Sequence, residues 1–199
     1  MTKIKLCGLS RPCDIDAANE LKPEYIGFVF APKSKRYVTP EKAMELKQTL
    51  LPDIQTVGVF VNEKPEAVAK LLQDGIIDIV QLHGAEGEEY IKQLHRLTDK
   101  PIIKAFRIET ASDIESVLQS TADYVMLDSG AGTGRGFDWN LIQNIIRPYF
   151  LAGGLDADNV TDAVRWLQPY AVDVSSGIET GGLKDKSKMA AFVAAVRKE

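Results

Sequence analysis

The chain has 199 residues, of which 45% are hydrophobic and 26% are charged. This length suffices for one sizeable core and leaves little room for two, so we expect a single domain over residues 1–199. The formal net charge of −4 argues against a protein that binds nucleic acid phosphates or anionic membranes.

Cysteine usage and hydropathy indicate the compartment. The two cysteines, Cys7 and Cys13, lie near the N-terminus, and a chain of this length folds without disulfides, so a reducing compartment fits. The N-terminus has no apolar segment typical of a signal peptide, and no run of about 18 apolar residues occurs anywhere. We therefore expect a soluble cytoplasmic protein without a membrane partner.

Short apolar runs alternate with amphipathic segments along the whole chain. The predicted strands are Lys3–Cys7, Tyr25–Phe30, Thr56–Val61, Ile77–Leu82, Ile102–Phe106, Tyr124–Asp128, Phe150–Ala152 and Val172–Ser175. The predicted helices lie near 12–21, 40–51, 65–74, 87–97, 111–119, 138–146, 157–167 and 185–197. Thr39, directly before Pro40, and Thr110 are helix start signals. Asp156 or Asp158 can cap the helix that ends near residue 167.

The first predicted strand carries a thiol at its carboxyl end. Alternation along an extended strand places Lys3, Lys5 and Cys7 on one face, with Ile4 and Leu6 on the other. A cysteine in this position is ordinarily a small buried hydrophobic residue. It can also be a nucleophile or base held at the mouth of a sheet, and the rest of the chain favours this second interpretation.

Eight strand–helix units favour a closed barrel. Such alternation is typical of a parallel sheet with helical crossovers, and eight strands close a TIM barrel, whereas open doubly wound sheets usually have five to seven. We therefore predict an α/β fold, a single eight-stranded parallel (β/α) TIM barrel, with a flavodoxin-like or Rossmann sheet as the alternative. The glycine cluster at 130–136 weakens that alternative, because it lacks the dinucleotide-binding spacing and the ending of a P-loop.

Polar residues at the predicted strand ends are the candidates for an active site, because in TIM barrels the site lies at that face. The candidates are Cys7, Arg36 in the cluster 34–36, Gln81, His83, Lys104, Asp128 and Asp173. Most have a purely structural interpretation as well. His83 can be a structural histidine, Lys104 and Asp173 can form a buried ion pair, and the 34–36 cluster can be a solvated loop. Their convergence at one face favours a functional site.

Two small-residue loops follow the seventh and eighth predicted strands. They contain Gly153 and Gly154, and Ser176 and Gly177. Small residues let backbone N–H groups approach an anion, and the loops after strands 7 and 8 are the usual phosphate site of this fold. We therefore expect a phosphorylated small-molecule ligand, with its other end near Cys7, Arg36 and Asp128.

Motifs along nearly the whole chain resemble the phosphoribosylanthranilate isomerase family of tryptophan biosynthesis. They are Lys-Leu-Cys-Gly-Leu (5–9), Gly-Phe-Val-Phe (27–30), Ser-Lys-Arg (34–36), Val-Gly-Val-Phe-Val-Asn (57–62), Val-Gln-Leu-His-Gly (80–84), Leu-Asp-Ser (127–129), Phe-Asp-Trp (137–139), Leu-Ala-Gly-Gly-Leu (151–155), Val-Asp-Val-Ser-Ser-Gly-Ile-Glu (172–179) and Lys-Asp (184–185). Leu6 and Ser10 stand where the family more often has Ile and Thr.

The resemblance implies an Amadori rearrangement of phosphoribosylanthranilate, without cofactor or metal. It implies Asp128 as the acid that opens the ribose ring, Cys7 as the base and Arg36 as the partner of the anthranilate carboxylate. Gln81, His83 and Asp173 are expected to bind substrate, and the protein is expected to be a monomer. A nearby Lys5 could favour the Cys7 thiolate, or could instead be paired with a carboxylate such as Asp173.

Two alternatives stay open from the sequence. One is another phosphosugar isomerase or epimerase on the same barrel. A metal-dependent epimerase needs several ligands, whereas the only histidines are His83 and His95, and a sugar isomerase of the histidine pathway typically has aspartate where this chain has Cys7. The other is a non-catalytic barrel that only binds a phosphorylated ligand.

Overall fold

A computed structural model describes residues 1–128, 142 and 145–198. Eight parallel strands form a closed barrel in chain order, which confirms the predicted fold class. The strands are β1 Lys3–Cys7, β2 Tyr25–Val29, β3 Gln55–Phe60, β4 Ile79–Leu82, β5 Ile102–Arg107, β6 Tyr124–Asp128, β7 Tyr149–Ala152 and β8 Ala171–Val174. The barrel closes where β1 pairs with β8, with Lys5 opposite Asp173.

Helices follow most strands. The described ones are α1 Pro12–Leu21, α2 Pro40–Gln48, α3 Pro65–Gln73, α4 Glu88–His95, α5 Ala111–Gln119, α6 Val160–Leu167 and α7 Lys186–Arg197. Three of them, α1, α2 and α3, have proline in the first turn, where its missing N–H costs no intrahelical hydrogen bond. The predicted helix near 138–146 lies mostly outside the described residues, as does the 130–136 glycine cluster.

The predicted helix start signals act as expected. The Thr39 side chain accepts a hydrogen bond from the backbone N–H of Lys42, and Thr110 forms a capping box with Asp113. The Asp156 carboxylate accepts from the backbone N–H groups of residues 158 and 159. It thereby caps a turn, and α6 begins at Val160, three residues later than the prediction.

Apolar side chains cover both faces of the strands, as expected for a parallel sheet buried on each side. Ile4 and Leu6 point outward into the layer between barrel and helices. Tyr25, Met126 and Phe150 point inward and fill the barrel. The alternation predicted for the first strand is therefore confirmed, with Lys5 and Cys7 inside the barrel.

The amino-terminal end of the barrel is closed by a lysine and aromatic rings. Lys3 Nζ donates to the hydroxyl groups of Tyr170 at 2.7 Å and Tyr25 at 3.2 Å. It also lies 4.6 Å from the centre of the Tyr170 ring, within the range of a cation–π interaction. The candidate site lies at the opposite, carboxyl end of the barrel.

Among the described helices, none is long and apolar enough to cross a membrane.

Candidate active site

Cys7 lies at the carboxyl end of β1, where two glycines make room for its surroundings. A Cβ at Gly27, on the neighbouring strand, would lie only 2.7 Å from the Cys7 sulfur and 3.2 Å from Lys5 Nζ. Gly8 turns the chain away from the strand with a φ of +80°, and a Cβ there would lie 2.5 Å from Arg36 Cδ. Glycine at these positions lets the thiol, the Lys5 ammonium group and the Arg36 side chain share one corner of the barrel.

Asp173 pairs with Lys5, which confirms the alternative that Lys5 is paired with this carboxylate, whereas the expected pair of Lys104 with Asp173 is wrong. Lys5 Nζ donates to Asp173 Oδ1 at 2.7 Å, and Lys5 is fully buried. The reason is register, because Lys5 and Asp173 are direct partners on adjacent strands. Lys104 instead donates to Glu86 Oε2 at 3.2 Å and to the carbonyl of Gly84 at 2.7 Å.

The surroundings of Cys7 oppose ionisation overall. Burial raises the pKa of the thiol above its ordinary value, while the ammonium groups of Lys5 and Lys184 lower it and the Asp173 carboxylate raises it further. The expectation that Lys5 favours the thiolate is therefore correct in sign, but burial outweighs it. The Asp173 carboxylate, paired with Lys5, cancels part of the effect of Lys5 on the thiol.

Asp128 lies at the carboxyl end of β6 beside His83. Its Oδ2 is 3.4 Å from His83 Nε2, while His83 Nδ1 is 3.0 Å from the amide nitrogen of Gln81. An amide NH2 group can only donate, so Nδ1 accepts in this arrangement, and a neutral ring carries its proton on Nε2, facing Asp128. The structure thus links the side chains of Gln81, His83 and Asp128 by successive contacts.

Gln81 is the most deeply buried of these three residues. It is 1% exposed, and its amide nitrogen also lies 3.2 Å from Met126 Sδ. A residue buried this far inside the barrel is placed to fix the orientation of His83. Its expected contact with substrate stays a prediction.

Arg36 is held by Glu179, a residue to which the sequence analysis gave no role. The guanidinium donates from Nε and Nη2 to the two carboxylate oxygens of Glu179, at 2.6 and 2.9 Å. Lys184 Nζ also donates to Glu179, at 2.6 Å, and to the backbone carbonyl and hydroxyl of Ser175. Burial disfavours ionised Glu179, but hydrogen bonds from Arg36 and Lys184 outweigh it and lower the pKa.

Glu86 is a second residue that sequence reasoning missed. Its buried carboxylate accepts from the backbone N–H of Asn62 at 2.5 Å, from that of Gly84 at 2.8 Å and from Lys104. It therefore ties the loop after β3 to the loop after β4, next to His83. An acidic residue in a polar loop gives no sequence signal of such burial.

The two predicted phosphate loops contact each other. Gly153 and Gly154 have φ angles of +92° and +66°, which glycine adopts at little cost. Ser176 and Gly177 lie in a single 3₁₀ turn, Ser176–Ile178, directly after β8. A Cβ at Gly177 would collide with the carbonyl oxygen of Leu155, so no larger residue fits without moving a loop. Their role in phosphate binding remains a prediction.

Among the described residues, no three His, Cys, Asp or Glu side chains are grouped so that they could hold a metal ion.

The closed parallel barrel, with polar side chains gathered at the carboxyl ends of its strands, places the protein in the TIM-barrel class. A family model described as N-(5′-phosphoribosyl)anthranilate isomerase matches residues 4–195. The chain belongs to this family.

Individual relatives agree with the family match. N-(5′-phosphoribosyl)anthranilate isomerase of Thermoanaerobacter sp. (strain X514) is 44% identical over 204 residues, covering 99% of this chain and 98% of the relative. A crystal structure of phosphoribosyl anthranilate isomerase in complex with reduced 1-(o-carboxyphenylamino)-1-deoxyribulose 5-phosphate is similar with a TM-score of 0.88, at 34% identity and full coverage of both chains. Monomers derived from the dimeric Thermotoga maritima enzyme also match over both full chains, with a TM-score of 0.86 and 34% identity.

Proposed function

We propose that this protein isomerises N-(5-phosphoribosyl)anthranilate to 1-(2-carboxyphenylamino)-1-deoxyribulose 5-phosphate in tryptophan biosynthesis. The observation that carries the proposal is the family match over residues 4–195, in a barrel that has Cys7 and Asp128 at the same end. The experiment is a turnover assay with phosphoribosylanthranilate, followed by the loss of anthranilate-type fluorescence. Binding without turnover would instead indicate a barrel that only binds ligand, and turnover of a different phosphosugar would indicate another isomerase.

The reaction assigns separate tasks to an acid and a base. We propose that neutral Asp128 donates its proton to the ribose ring oxygen, so that the C1–O bond breaks and a protonated Schiff base forms. Cys7, as thiolate, then removes the proton from C2, and the electron pair of that C–H bond neutralises the iminium to give an enolamine. Tautomerisation of the enolamine to the ketone completes the isomerisation.

His83 and Gln81 support the acid in this proposal. His83 Nε2 lies 3.4 Å from Asp128 Oδ2. The Gln81 amide contacts Nδ1 of the same imidazole ring and so fixes its orientation. His83 is more than one-third exposed at its side chain, so it can also face the substrate, as the sequence analysis expected. Asp173 faces the same corner from β8, where its second oxygen is the proposed substrate contact while Oδ1 holds Lys5.

Arg36 is the proposed partner of the anthranilate carboxylate. Its two contacts with Glu179 use Nε and Nη2, and a guanidinium has five N–H donors in a planar fork. Glu179 therefore fixes the fork in place, and the remaining N–H groups receive the carboxylate. About one third of the side chain is exposed, which leaves it accessible to a ligand.

Arg36→Met should raise KM far more than it lowers the melting temperature. A lost charge-assisted hydrogen bond costs about 1.5–3 kcal/mol, or roughly 10- to 150-fold in KM. Steady-state kinetics and thermal unfolding measure the two effects. Arg96→Met, at an exposed position after α4, is the matched control. An unchanged KM with a lowered melting temperature would contradict the carboxylate assignment.

Gly177→Ala should weaken binding of the phosphorylated ligand. The added methyl group would displace the 3₁₀ turn from the Leu155 carbonyl and separate the two small-residue loops. Binding of a product analogue with and without its phosphate, measured by calorimetry, is the test. Gly87→Ala is the control, because a Cβ at Gly87 meets open space and its φ is −93°. If both ligands lose affinity equally, the loops do not bind the phosphate.

We also propose that the chain acts as a single-domain monomer in the cytoplasm and uses no cofactor. The family match that runs without interruption over residues 4–195 supports the single domain, and Asp128 and Cys7 supply the proposed acid and base without a cofactor. Light scattering of the purified protein tests the monomer, and a dimer mass would contradict it.

A further inference from the structure

We infer that Lys184 is a positioning residue of the active site, which supplies the positive charge that makes the Cys7 thiolate accessible. The inference deepens the proposed function, since it rests on Cys7 as the base. It starts from the charged side chains around Cys7. Lys5, Asp173, Lys184 and Arg36 interact with the thiol, and Glu179 pairs with both Arg36 and Lys184.

These five side chains form two groups of different net charge. Lys5 and Asp173 make a buried pair at 2.7 Å and are neutral together. Arg36 and Lys184 carry two positive charges against the single negative charge of Glu179, which they share at 2.6 Å each. The second group therefore holds one excess positive charge, which a thiolate at Cys7 neutralises.

Backbone contacts fix Lys184 and Arg36 against the end of β1. Ser175 Oγ donates to the carbonyl oxygen of Cys7 at 3.2 Å, and Lys184 Nζ donates to that same Oγ at 3.2 Å. Arg36 packs across Gly8, the residue after Cys7. The side chain of Lys184 is 2% exposed, so its charge is weakly screened by solvent.

Glu179 favours the charged form of Lys184. Burial lowers the pKa of Lys184, and both Glu179 and Cys7 oppose this shift. Conversely, burial raises the pKa of Cys7, and Lys184 opposes that shift. The two groups thus stabilise each other's charged forms, and the loss of one charge must weaken the other.

The test is the pH dependence of Cys7 alkylation by iodoacetamide, without substrate. Cys13 is exposed, so every protein carries Cys13→Ser, and modification of Cys7 is followed by mass spectrometry. Lys184→Met should alkylate several-fold more slowly at a fixed pH below the titration midpoint, because removal of an ammonium group that opposes the raised pKa of Cys7 leaves less thiolate. Lys184→Arg should restore the wild-type profile.

Turnover provides a second readout. In Lys184→Met, kcat should fall several-fold at neutral pH and recover as pH rises, with KM nearly unchanged, since the charge acts on the base. Lys186→Met is the control, because that exposed lysine pairs with Glu20. An alkylation profile identical to that of the wild type would overturn the role of Lys184, whereas absence of turnover in the wild type would overturn the proposed function alone.

A third measurement needs no lysine substitution, so it tests the interaction of Lys184 with Cys7 even if Lys184→Met does not fold. Carbamidomethylation of Cys7 removes the thiolate, so Lys184 should lose its proton at lower pH, as followed by the NMR shift of its ε-carbon. An unchanged titration of Lys184 after this modification would also overturn the inference.

Discussion

Asp128→Asn should bind substrate with nearly normal affinity while turnover falls by roughly two to four orders of magnitude, the usual contribution of a positioned acid. Asparagine keeps the shape of the side chain and can still contact His83 Nε2, which lies 3.4 Å from the carboxylate. It has no acidic proton to donate to the ring oxygen. The interaction lost is therefore one made in the transition state, which lowers kcat and leaves the ground state intact.

The comparison requires ligand binding and single-turnover rates for both proteins. Asp99→Asn, at an exposed position in the loop before β5, controls for the loss of a negative charge. If Asp128→Asn still opens the ring at an appreciable fraction of the wild-type rate, the acid lies elsewhere, and Asp173 is the next candidate.

The barrel was predictable because strand periodicity and helix signals are local. Cys7 could be placed at a strand end from the alternation of five residues, and Thr110 could be placed at a helix start from its side chain chemistry alone. The ends of elements were less predictable. For example, Asp156 caps a turn before α6, and a short-range sequence pattern does not distinguish a capped turn from the first helical turn.

The sequence offered Asp173 as a partner for both Lys5 and Lys104 but could not choose between them, because the choice depends on strand register. Lys104 and Asp173 are both buried charges in apolar strands, and sequence alone allows them to pair. The closed barrel instead places Lys5 beside Asp173 on adjacent strands. Glu179 and Lys184 occur in motifs of the sequence. Their approach to Arg36 depends on a two-stranded antiparallel ribbon, Glu179–Thr180 with Leu183–Lys184, in which Lys184 pairs with Glu179.

Cys7→Ser should reduce turnover by roughly two to four orders of magnitude while the protein stays folded. The serine hydroxyl is nearly isosteric with the thiol, so the tight contact with Gly27 is preserved. A hydroxyl is far less acidic than a thiol, and the burial that already raises the pKa of Cys7 would make a serine alkoxide inaccessible. The base is therefore lost, whereas Asp128 can still open the ring.

Because Asp128 and Cys7 act in separate steps, loss of Cys7 should change which step limits the rate. Proton removal from C2 should become fully rate-limiting in Cys7→Ser, so substrate deuterated at C2 should show a larger isotope effect than with the wild type. The wild-type rate should rise with pH as the thiol ionises, because the raised pKa leaves the thiol protonated at lower pH. Cys13→Ser, at an exposed position on α1, should retain the wild-type rate. A Cys7→Ser variant with a near-normal rate would show that Cys7 only packs against Val29 and Val59 at the mouth of the barrel.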